Sequence, residues 1–269
     1  MISIKSEREI SLLKEAGHIV YQTHNYLKPY IKPGITTKEL DKLAYDFIMS
    51  KNATPSFLGY EGYPASICTS INQEVVHGIP SNYKLRNGDI ISIDIGACYK
   101  GYHGDSAWTY AVGDVSDNLK YLMEHTEKSL YIGLNEIKPG NHVGDIGYAI
   151  ETYATKHNLG VIKELVGHGV GTSIHEEPDV PNYGNKGCGP LLKEGMIIAV
   201  EPMLTLGSPE ICIMDDDWTI ETEDYSSSAH YEHTVVVTKE GYKILTGGKN
   251  GEEWYYWSRR KSIGSFTRL

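Results

Sequence analysis

Several features that define other classes of protein are scarce or missing in this chain of 269 residues. Only four cysteines are present, they lie far apart, and none forms a CxxC pair, which argues against a disulfide framework and against a thiolate zinc site. This cysteine usage fits a reducing compartment best. The 28 glycines follow no three-residue period, which excludes a collagen-like fibre.

Long apolar runs are also missing. Residues 1–14 are charged and have a helical pattern, without the apolar stretch that is typical of a signal peptide. No later segment has the run of about 18 apolar residues that a membrane span needs. We therefore expect a cytoplasmic protein with no membrane partner.

Basic residues are fewer than acidic ones. The chain has 35 acidic and 25 basic residues, for a formal net charge of −10, which argues against a general affinity for DNA or for anionic membranes. What is present instead is 40% hydrophobic and 22% charged residues, the composition of an ordinary globular protein with enough chain to bury a sizeable core.

The chain contains an internal duplication. The tetrapeptide IKPG occurs at residues 31–34 and again at 137–140, each time ahead of a helical pattern. Residues 88–94, GDIISID, are matched by residues 195–201, GMIIAVE, so that Asp94 aligns with Glu201. Two matches in the same order at nearly the same offset predict two related halves that form one pseudo-symmetric domain.

Each half is predicted to contain helices followed by strands. Capping-box spacing at Ser6 and Thr36, each three residues ahead of a glutamate, starts the first two helices. Periodicity predicts helices near residues 7–28, 37–51, 117–134 and 142–157, and strands around residues 90–95, 196–204 and 234–238. This order indicates an α+β architecture with a mainly antiparallel sheet. No linker separates the halves, so we treat residues 1–248 as one domain.

Two carboxylates lie inside apolar strand runs, Asp94 in the first half and Glu201 in the second. A buried carboxylate without a partner is costly, so each needs a cation, a proton or a metal. For either residue alone, a salt bridge is the ordinary explanation. A hairpin centred between residues 99 and 100 would place Asp94 directly opposite Asp105, with Cβ atoms about 5 Å apart. Two like charges so close favour a polyvalent cation between them.

Further potential ligands follow in the second half. His168 lies within GHGVG, where the flanking glycines should leave its backbone free to turn, His175 lies within IHEEP, and Glu232 starts the last predicted strand. A single histidine is more often structural or on the surface. Four carboxylates and an imidazole together form an oxygen-rich site that suits two divalent ions such as Mn, Fe, Co or Zn.

Seven residues in their local contexts resemble type I methionine aminopeptidase of the bacterial kind, over roughly residues 3–246. They are His77 in VHGIP, Asp94, Asp105, His168, His175 ahead of EEP, Glu201 and Glu232. The resemblance implies the pita-bread fold, whose pseudo-twofold halves agree with the duplication. It also implies removal of the N-terminal, initiator methionine from nascent proteins and peptides when the second residue is small.

The resemblance implies a role for each of the seven residues. Asp94 would chelate one metal, Asp105 and Glu232 would bridge both, and His168 and Glu201 would hold the other. The ions would be Co, Mn, Fe, Zn or Ni, and Glu201 would accept the proton of the attacking water. His175 would donate a hydrogen bond to the scissile carbonyl, and His77 would contact the scissile peptide or its leaving amine.

The resemblance also suggests walls for a methionine pocket, at Tyr60, Tyr63, Cys68 and Trp218. Each of these four, taken alone, is more often a core residue. The sequence departs from the family in two places, because Phe57 stands where some relatives have a small cysteine and Ile174 where many have an aromatic residue.

Asn72 and Ser228 resemble the family's loop for one monovalent cation. The resemblance further leads us to expect a monomer.

The last 21 residues, 249–269, lie beyond the resemblance and form a basic and aromatic tail. Five basic and two acidic residues make this tail +3. The run WYYW at 254–257 beside RRK at 259–261 could stack on bases and neutralise phosphates, as in a transient contact with ribosomal RNA. The simpler interpretation, which we favour, is that the aromatic residues pack on the domain and the basic residues are solvated.

Two other functions fit the same fold. Aminopeptidase P and prolidase cleave X-Pro or dipeptide bonds, but they typically carry a substantial N-terminal domain, whereas only 76 residues precede His77 here. Some pita-bread proteins have lost their metals and act as binding proteins, but all five ligand positions are kept in this chain. The sequence therefore favours the aminopeptidase.

Overall fold

The structure is a computed structural model that describes residues 2–248; the predicted tail at 249–269 lies outside these residues. The described part of the chain contains four long helices: α1 Glu7–Leu27, α2 Thr37–Ser50, α3 Asp117–Leu134 and α4 Val143–Lys156. Short 3₁₀ turns occupy Lys28–Tyr30 and Tyr60–Gly62. The helix bounds agree with the predicted ones to within a residue, because the capping boxes that start α1 and α2 are formed as expected.

Fifteen strands complete the fold of residues 2–248. In the first half they are β1 Thr54–Pro55, β2 Cys68–Ile71, β3 Glu74–Val76, β4 Ile90–Tyr99 and β5 Tyr102–Ala111. In the second half they are β6 Gly160–Val161, β7 Gly167–Gly169, β8 Glu176–Val180, β9 Ile197–Val200, β10 Met203–Thr205, β11 Ile211–Ile213, β12 Ile220–Thr222, β13 Ser228–His230, β14 His233–Val237 and β15 Tyr242–Ile244.

The strands form four sheets. One contains β1-β4-β2 with β5 on β4, one is β15-β14-β9-β7-β8, and two three-stranded sheets are β13-β10-β6 and β11-β12-β3. All strand pairs between residues 2 and 248 are antiparallel, which confirms the predicted α+β class.

Equivalent contacts recur in the two halves. An isolated bridge joins Thr36 to Lys84 in the first half, and the corresponding bridge in the second joins His142 to Leu191. The N–H of Gly88 donates to the carbonyl of Val112 at 3.0 Å, as the N–H of Gly195 does to that of Val237 at 2.9 Å. The predicted duplication is therefore visible in the backbone.

The main apolar cluster lies where helices from both halves cover the sheets. Its fully buried members include Leu27, Ile91, Leu130, Ile150 and Ile198. Burying each such side chain contributes about 1.5–3 kcal/mol, so this shared core holds the two halves against each other. Among the described residues, no helix combines the length and the apolar character that crossing a membrane requires.

The hairpin of β4 and β5 differs from the prediction in its register. Tyr99 pairs with Tyr102, so Asp94 lies opposite Ala107 and Asp105 lies opposite Gly96, and the two carboxylates are not directly opposed. The turn consists of Lys100 and Gly101, both with positive φ (51° and 81°), as a tight two-residue hairpin requires. Since the register is shifted by two residues, both carboxylates still point to the same face of the sheet.

Candidate metal centre and substrate pocket

Six acidic and histidine side chains from six segments converge on one cluster. Three overlapping groups have ligand atoms within 4.8 Å of one another, and together they contain Asp94, Asp105, His168, His175, Glu201 and Glu232. The structure thus brings together all five predicted ligands, with the predicted catalytic His175 beside them.

The alternation of side chains along strand β5 directs Asp105 into the cluster. Gly104 faces helix α1, since a Cβ there would lie 2.5 Å from the backbone nitrogen of Gly17. Its neighbour Asp105 therefore points away from the helix and into the cluster. Asp105 is 3% exposed, so the site holds a carboxylate that is almost completely withdrawn from water.

His168 lies in β7, and its flanking glycines serve packing rather than free turning. A Cβ on Gly167 would clash with the carbonyl of Ala199, and one on Gly169 would clash with that of Glu177. The prediction that these glycines leave the backbone free to turn was therefore wrong, because β7 is a strand that lies between β8 and β9 in the sheet.

The tautomer of His168 follows from its backbone contact. Its Nδ1 donates to the carbonyl of Gly169 at 2.9 Å, so Nε2 carries the lone pair. This Nε2 lies 3.7 Å from Asp105 Oδ2 and 3.5 Å from Glu201 Oε1. An unprotonated nitrogen, whose lone pair is available to a metal, therefore faces the carboxylates.

The carboxylates of the cluster repel one another. Burial raises the pKa of Asp94 to about 7. Burial and the neighbouring Asp94 raise the pKa of Asp105, and burial and Asp105 raise that of Glu232. Burial would also raise the pKa of Glu201, yet that pKa is lowered, because His230 and His168 lie beside it. Three of the four groups thus need a proton or a cation.

Buried carboxylate oxygens without a hydrogen-bond partner indicate that a cation fits this cluster. Asp94 Oδ1, Asp105 Oδ1 and Glu232 Oε1 are buried without a hydrogen-bond partner. Leaving such atoms unsatisfied is costly, and oxygen-rich sites with imidazole suit divalent ions. The residues present therefore fit a divalent metal.

The two predicted catalytic histidines flank the cluster. His175 Nδ1 forms a 3.0 Å hydrogen bond with the hydroxyl of Tyr60, and its ring is perpendicular to that of His168, with 4.2 Å between centroids. Burial and His168 lower the pKa of His175 to about 4, and burial lowers that of His77. His77 has a left-handed backbone, with φ of 58°. Both rings are thus neutral donors or acceptors near pH 7.

A cavity of about 300 Å³ opens onto the cluster. The predicted pocket residues all line it: Tyr60, Tyr63, Cys68 and Trp218, together with His77 and His175. The ring of Tyr63 meets that of Trp218 edge-on, with 5.1 Å between centroids. Phe57 and Ile174, the two departures from the family, belong to the same apolar cluster as Tyr63 and Cys68. The departures therefore lie in or behind the pocket wall.

Sequence reasoning missed His230. This residue is 2% exposed, lines the cavity, and has its Nε2 at 3.4 Å from Glu201 Oε2 without a hydrogen bond. A usable signal existed, because His230 lies two residues before Glu232 in an extended segment and so shares its face. The apolar lining residues Val76, Leu165 and Met203 were also missed, and nothing in the sequence separates them from core residues.

Asn72 and Ser228 lie next to each other but outside the cavity lining. The N–H of Ser228 donates to the carbonyl of Asn72 at 2.8 Å. The Asn72 side chain donates to Asp89 Oδ1 and accepts from the N–H of Ile90, both at 3.0 Å. These contacts hold a turn in which Asn72 has φ of 54°.

This buried carboxylate cluster beside a largely apolar cavity suits a metal-dependent hydrolase, and the comparisons with known proteins agree. Residues 11–239 match the family model of metallopeptidase family M24. The chain is 53% identical to methionine aminopeptidase 1 of Bacillus subtilis, covering 91% of this chain and 99% of that protein. It is 48% identical to methionine aminopeptidase of Clostridium acetobutylicum, with the same coverage of 91% and 99%. The chain belongs to metallopeptidase family M24 and, within it, to the methionine aminopeptidases.

Solved structures give the same result for the fold. The crystal structure of methionine aminopeptidase from Rickettsia prowazekii has a TM-score of 0.90 at 43% identity, covering 91% of this chain and all of that one. Prolidase from Pyrococcus furiosus has a TM-score of 0.75 at 22% identity, and this chain spans 66% of its length, so that likeness concerns the fold alone. The predicted pita-bread fold is confirmed.

Proposed function

We propose that this metallopeptidase removes the N-terminal, initiator methionine from nascent proteins and peptides whose second residue is small. The observation that carries the proposal is the cavity of about 300 Å³, lined by apolar and aromatic side chains on one side and by the carboxylate cluster on the other. An unbranched thioether side chain suits such a pocket, and a methionine bound there would have its peptide bond beside the carboxylates.

We assign the five clustered residues to two divalent ions drawn from Co, Mn, Fe, Zn and Ni. Asp94 would hold one ion, His168 and Glu201 would hold the other, and Asp105 and Glu232 would serve both. When bound, these ions supply an activated water and polarise the scissile carbonyl. The orphaned carboxylate oxygens support the assignment.

Glu201 is the proposed proton acceptor. The neighbouring His230 and His168 lower its pKa, so this carboxylate is held ionised, as a group that accepts a proton from water must be. His175 donates a hydrogen bond to the scissile carbonyl oxygen, where negative charge develops. His77, beside Trp218 in the cavity lining, contacts the scissile peptide or its leaving amine.

The remaining expectations complete the proposal. Residues 1–248 form the catalytic domain and 249–269 a separate tail, the enzyme is a cytoplasmic monomer, and a monovalent cation binds at the turn of Asn72 and Ser228. The hydrogen bond that the N–H of Ser228 donates to the carbonyl of Asn72 supports a preformed loop there. The ribosome contact considered for the tail stays a prediction.

The test uses metal-stripped protein with the peptides Met-Ala-Ser and Ala-Pro-Ala, to which Mn, Fe, Co or Zn is added back. We expect release of methionine only, only with metal, and its loss in Asp105→Asn. The matched control is Asp46→Asn, at an exposed aspartate on helix α2 whose side chain is 56% exposed.

Release from the proline peptide would instead move the protein to the X-Pro branch of the family. No turnover with any metal would indicate a binding protein and contradict the proposal.

A further inference from the structure

A buried ion pair ties the loop of His175 to the N-terminal segment. His175 lies between β7 and β8, and the next residue, Glu176, begins β8. Lys5 Nζ donates to Glu176 Oε2 at 2.6 Å, and the two side chains are only 6% and 18% exposed. Every other lysine ion pair within residues 2–248 has a lysine that is at least 46% exposed. This pair is therefore unlike the rest.

The second oxygen of Glu176 organises the loop itself. Oε1 accepts hydrogen bonds from the backbone N–H groups of Thr172 at 2.8 Å and Ser173 at 3.3 Å. A Cβ on Gly171 would clash with both Glu176 Oε1 and Lys5 Nζ, so glycine at this position lets the two charged groups lie against the loop backbone. Burial would raise the pKa of Glu176, but Lys5 and the loop N–H groups lower it, which keeps the carboxylate ionised.

Lys5 has anchors of its own. Its backbone N–H donates to the carbonyl of Gly195 at 2.9 Å, and its Nζ also donates to Ser3 Oγ at 2.7 Å. The loop has a separate attachment to β5, where the N–H of His103 donates to the carbonyl of Gly171 at 2.9 Å. Because that attachment does not involve Lys5, loss of the ion pair should shift the loop without unfolding the domain.

We infer that Lys5 is a positioning residue for His175, which it holds in place through Glu176. The inference rests on the proposed function, in which His175 donates to the scissile carbonyl. Without Lys5, Glu176 would be a largely buried carboxylate with no cation, so it would turn outward or take up a proton and release the loop N–H groups. A displacement of about 1 Å at a group that stabilises the transition state can cost about 100-fold in rate.

The decisive variant is Lys5→Met, which keeps the length of the side chain and removes its charge. We expect kcat for methionine release by the metal-loaded full chain to fall about 10- to 100-fold, with KM changed less than about threefold, because the lost interaction is made in the transition state. The matched control, Lys42→Met, breaks the exposed pair of Lys42 with Asp46 and should leave kcat unchanged.

The same change made in a His175→Ala variant separates a positioning effect on His175 from general structural damage. If Lys5 acts through His175, Lys5→Met should cause no further fall in kcat when His175 is already replaced by alanine. An equal fall in both backgrounds, or no fall when His175 is intact, would overturn the inference.

The proposed function fails if the unmodified chain releases no methionine. The inference about Lys5 is tested separately, by a spectroscopic measurement that does not depend on activity. In protein labelled with ¹⁵N-histidine, Lys5→Met should shift the ring resonances of His175, identified by their absence in His175→Ala, while Lys42→Met should not. If Lys5→Met does not fold, Glu176→Gln replaces it, since this change keeps an oxygen acceptor for the loop but removes the charge that faces Lys5. Unmoved resonances would overturn the inference.

Discussion

Phe57, one of the two departures from the family, lines the cavity. The residue is 7% exposed and packs in one cluster with Tyr63, Cys68 and Ile174. A Cβ on Gly96 would lie 2.8 Å from Phe57 Cε1, so strand β4 closes directly against the ring. A phenyl ring here fills volume that a cysteine would leave open, and we expect a tight upper limit on the size of the substrate side chain.

Replacing Phe57 with cysteine should relax that limit. The kcat/KM for ethionine-Ala-Ser relative to Met-Ala-Ser should rise about 10-fold, because one methylene in an apolar pocket is worth about 1–3 kcal/mol. The new cavity should also lower the free energy of unfolding by about 2–4 kcal/mol. Competition between the two peptides, with a urea unfolding curve, measures both effects.

The control for this change is Leu58→Cys, at a neighbouring side chain that is 47% exposed. If the substrate ratio in Phe57→Cys equals that of the control, Phe57 does not set the size of the pocket.

At the scale of elements, the contact between α1 and β5 places Asp105. The helix and the strand touch through two glycines, since a Cβ on Gly104 would lie 2.6 Å from the Cα of Gly17. On its other side Gly17 faces the carbonyl of Leu245, 2.6 Å from where its own Cβ would be. Close packing on both sides leaves the helix no room to withdraw, so the strand position of Asp105 depends on these glycines.

The variant Gly104→Ala should therefore destabilise the protein, although it adds only one methyl group, because that group would clash with helix α1. We expect a loss of about 1–3 kcal/mol in the free energy of unfolding, as for overpacked cores, together with weaker divalent-metal binding. Gly241→Ala is the matched control, because its Cβ would meet only the carbonyl oxygen of Ile137 at 3.7 Å. Equal unfolding midpoints for the two variants would show that α1 adapts freely.

At the scale of the whole molecule, the carboxylate cluster joins the two halves. Asp94 and Asp105 come from the first half, and His168, Glu201 and Glu232 come from the second. Without a cation the raised carboxyl pKa values oppose this arrangement, whereas a bound cation favours it. A divalent ion should therefore stabilise the complete fold.

This linkage predicts a pH-dependent effect of metal on stability. The pKa of Asp94 is raised from 3.8 to about 7 in the metal-free fold, so metal-free protein loses stability as pH rises through about 7. A metal needs the ionised carboxylates, so its affinity rises over the same window. The increase in Tm caused by Mn²⁺ should therefore grow between pH 5.5 and pH 8, and metal at 100 times its Kd should add about 2.7 kcal/mol.

Thermal melts with and without metal at several pH values measure this growth. It should be lost in Asp105→Asn and kept in Asp46→Asn. A metal-induced change in Tm that is constant across the window would contradict the linkage.

The sequence was most informative where structure is local or duplicated. Helices α1 and α2 begin where predicted because the caps at Ser6 and Thr36 involve residues only three positions apart. It was wrong on the register of the β4–β5 hairpin, which depends on whether Tyr99 or Gly101 enters the turn. Gly101 does so, because glycine adopts positive φ without strain.

Some residues of the candidate site were also recognisable in the sequence, and others were not. The chemistry of Asp94 and Glu201 was recognisable because carboxylates inside apolar strands need a partner. His230 was not recognised, since its importance comes from its distance to Glu201 rather than from its neighbours in the chain. The glycines beside His168 were misinterpreted, because their reason is the carbonyl groups of adjacent strands.

By itself, the sequence determined the helix starts, the duplication, the α+β class and the residue types available for metal chemistry, because these depend on local spacing and side-chain chemistry. Only the tertiary structure decided that Asp94 and Asp105 are offset on one face, that Phe57 closes the pocket, and that Lys5 reaches Glu176 across 171 positions of the chain. Contacts between distant residues depend on how strands, helices and loops pack in space, and that packing has no signature in the spacing of residues along the chain.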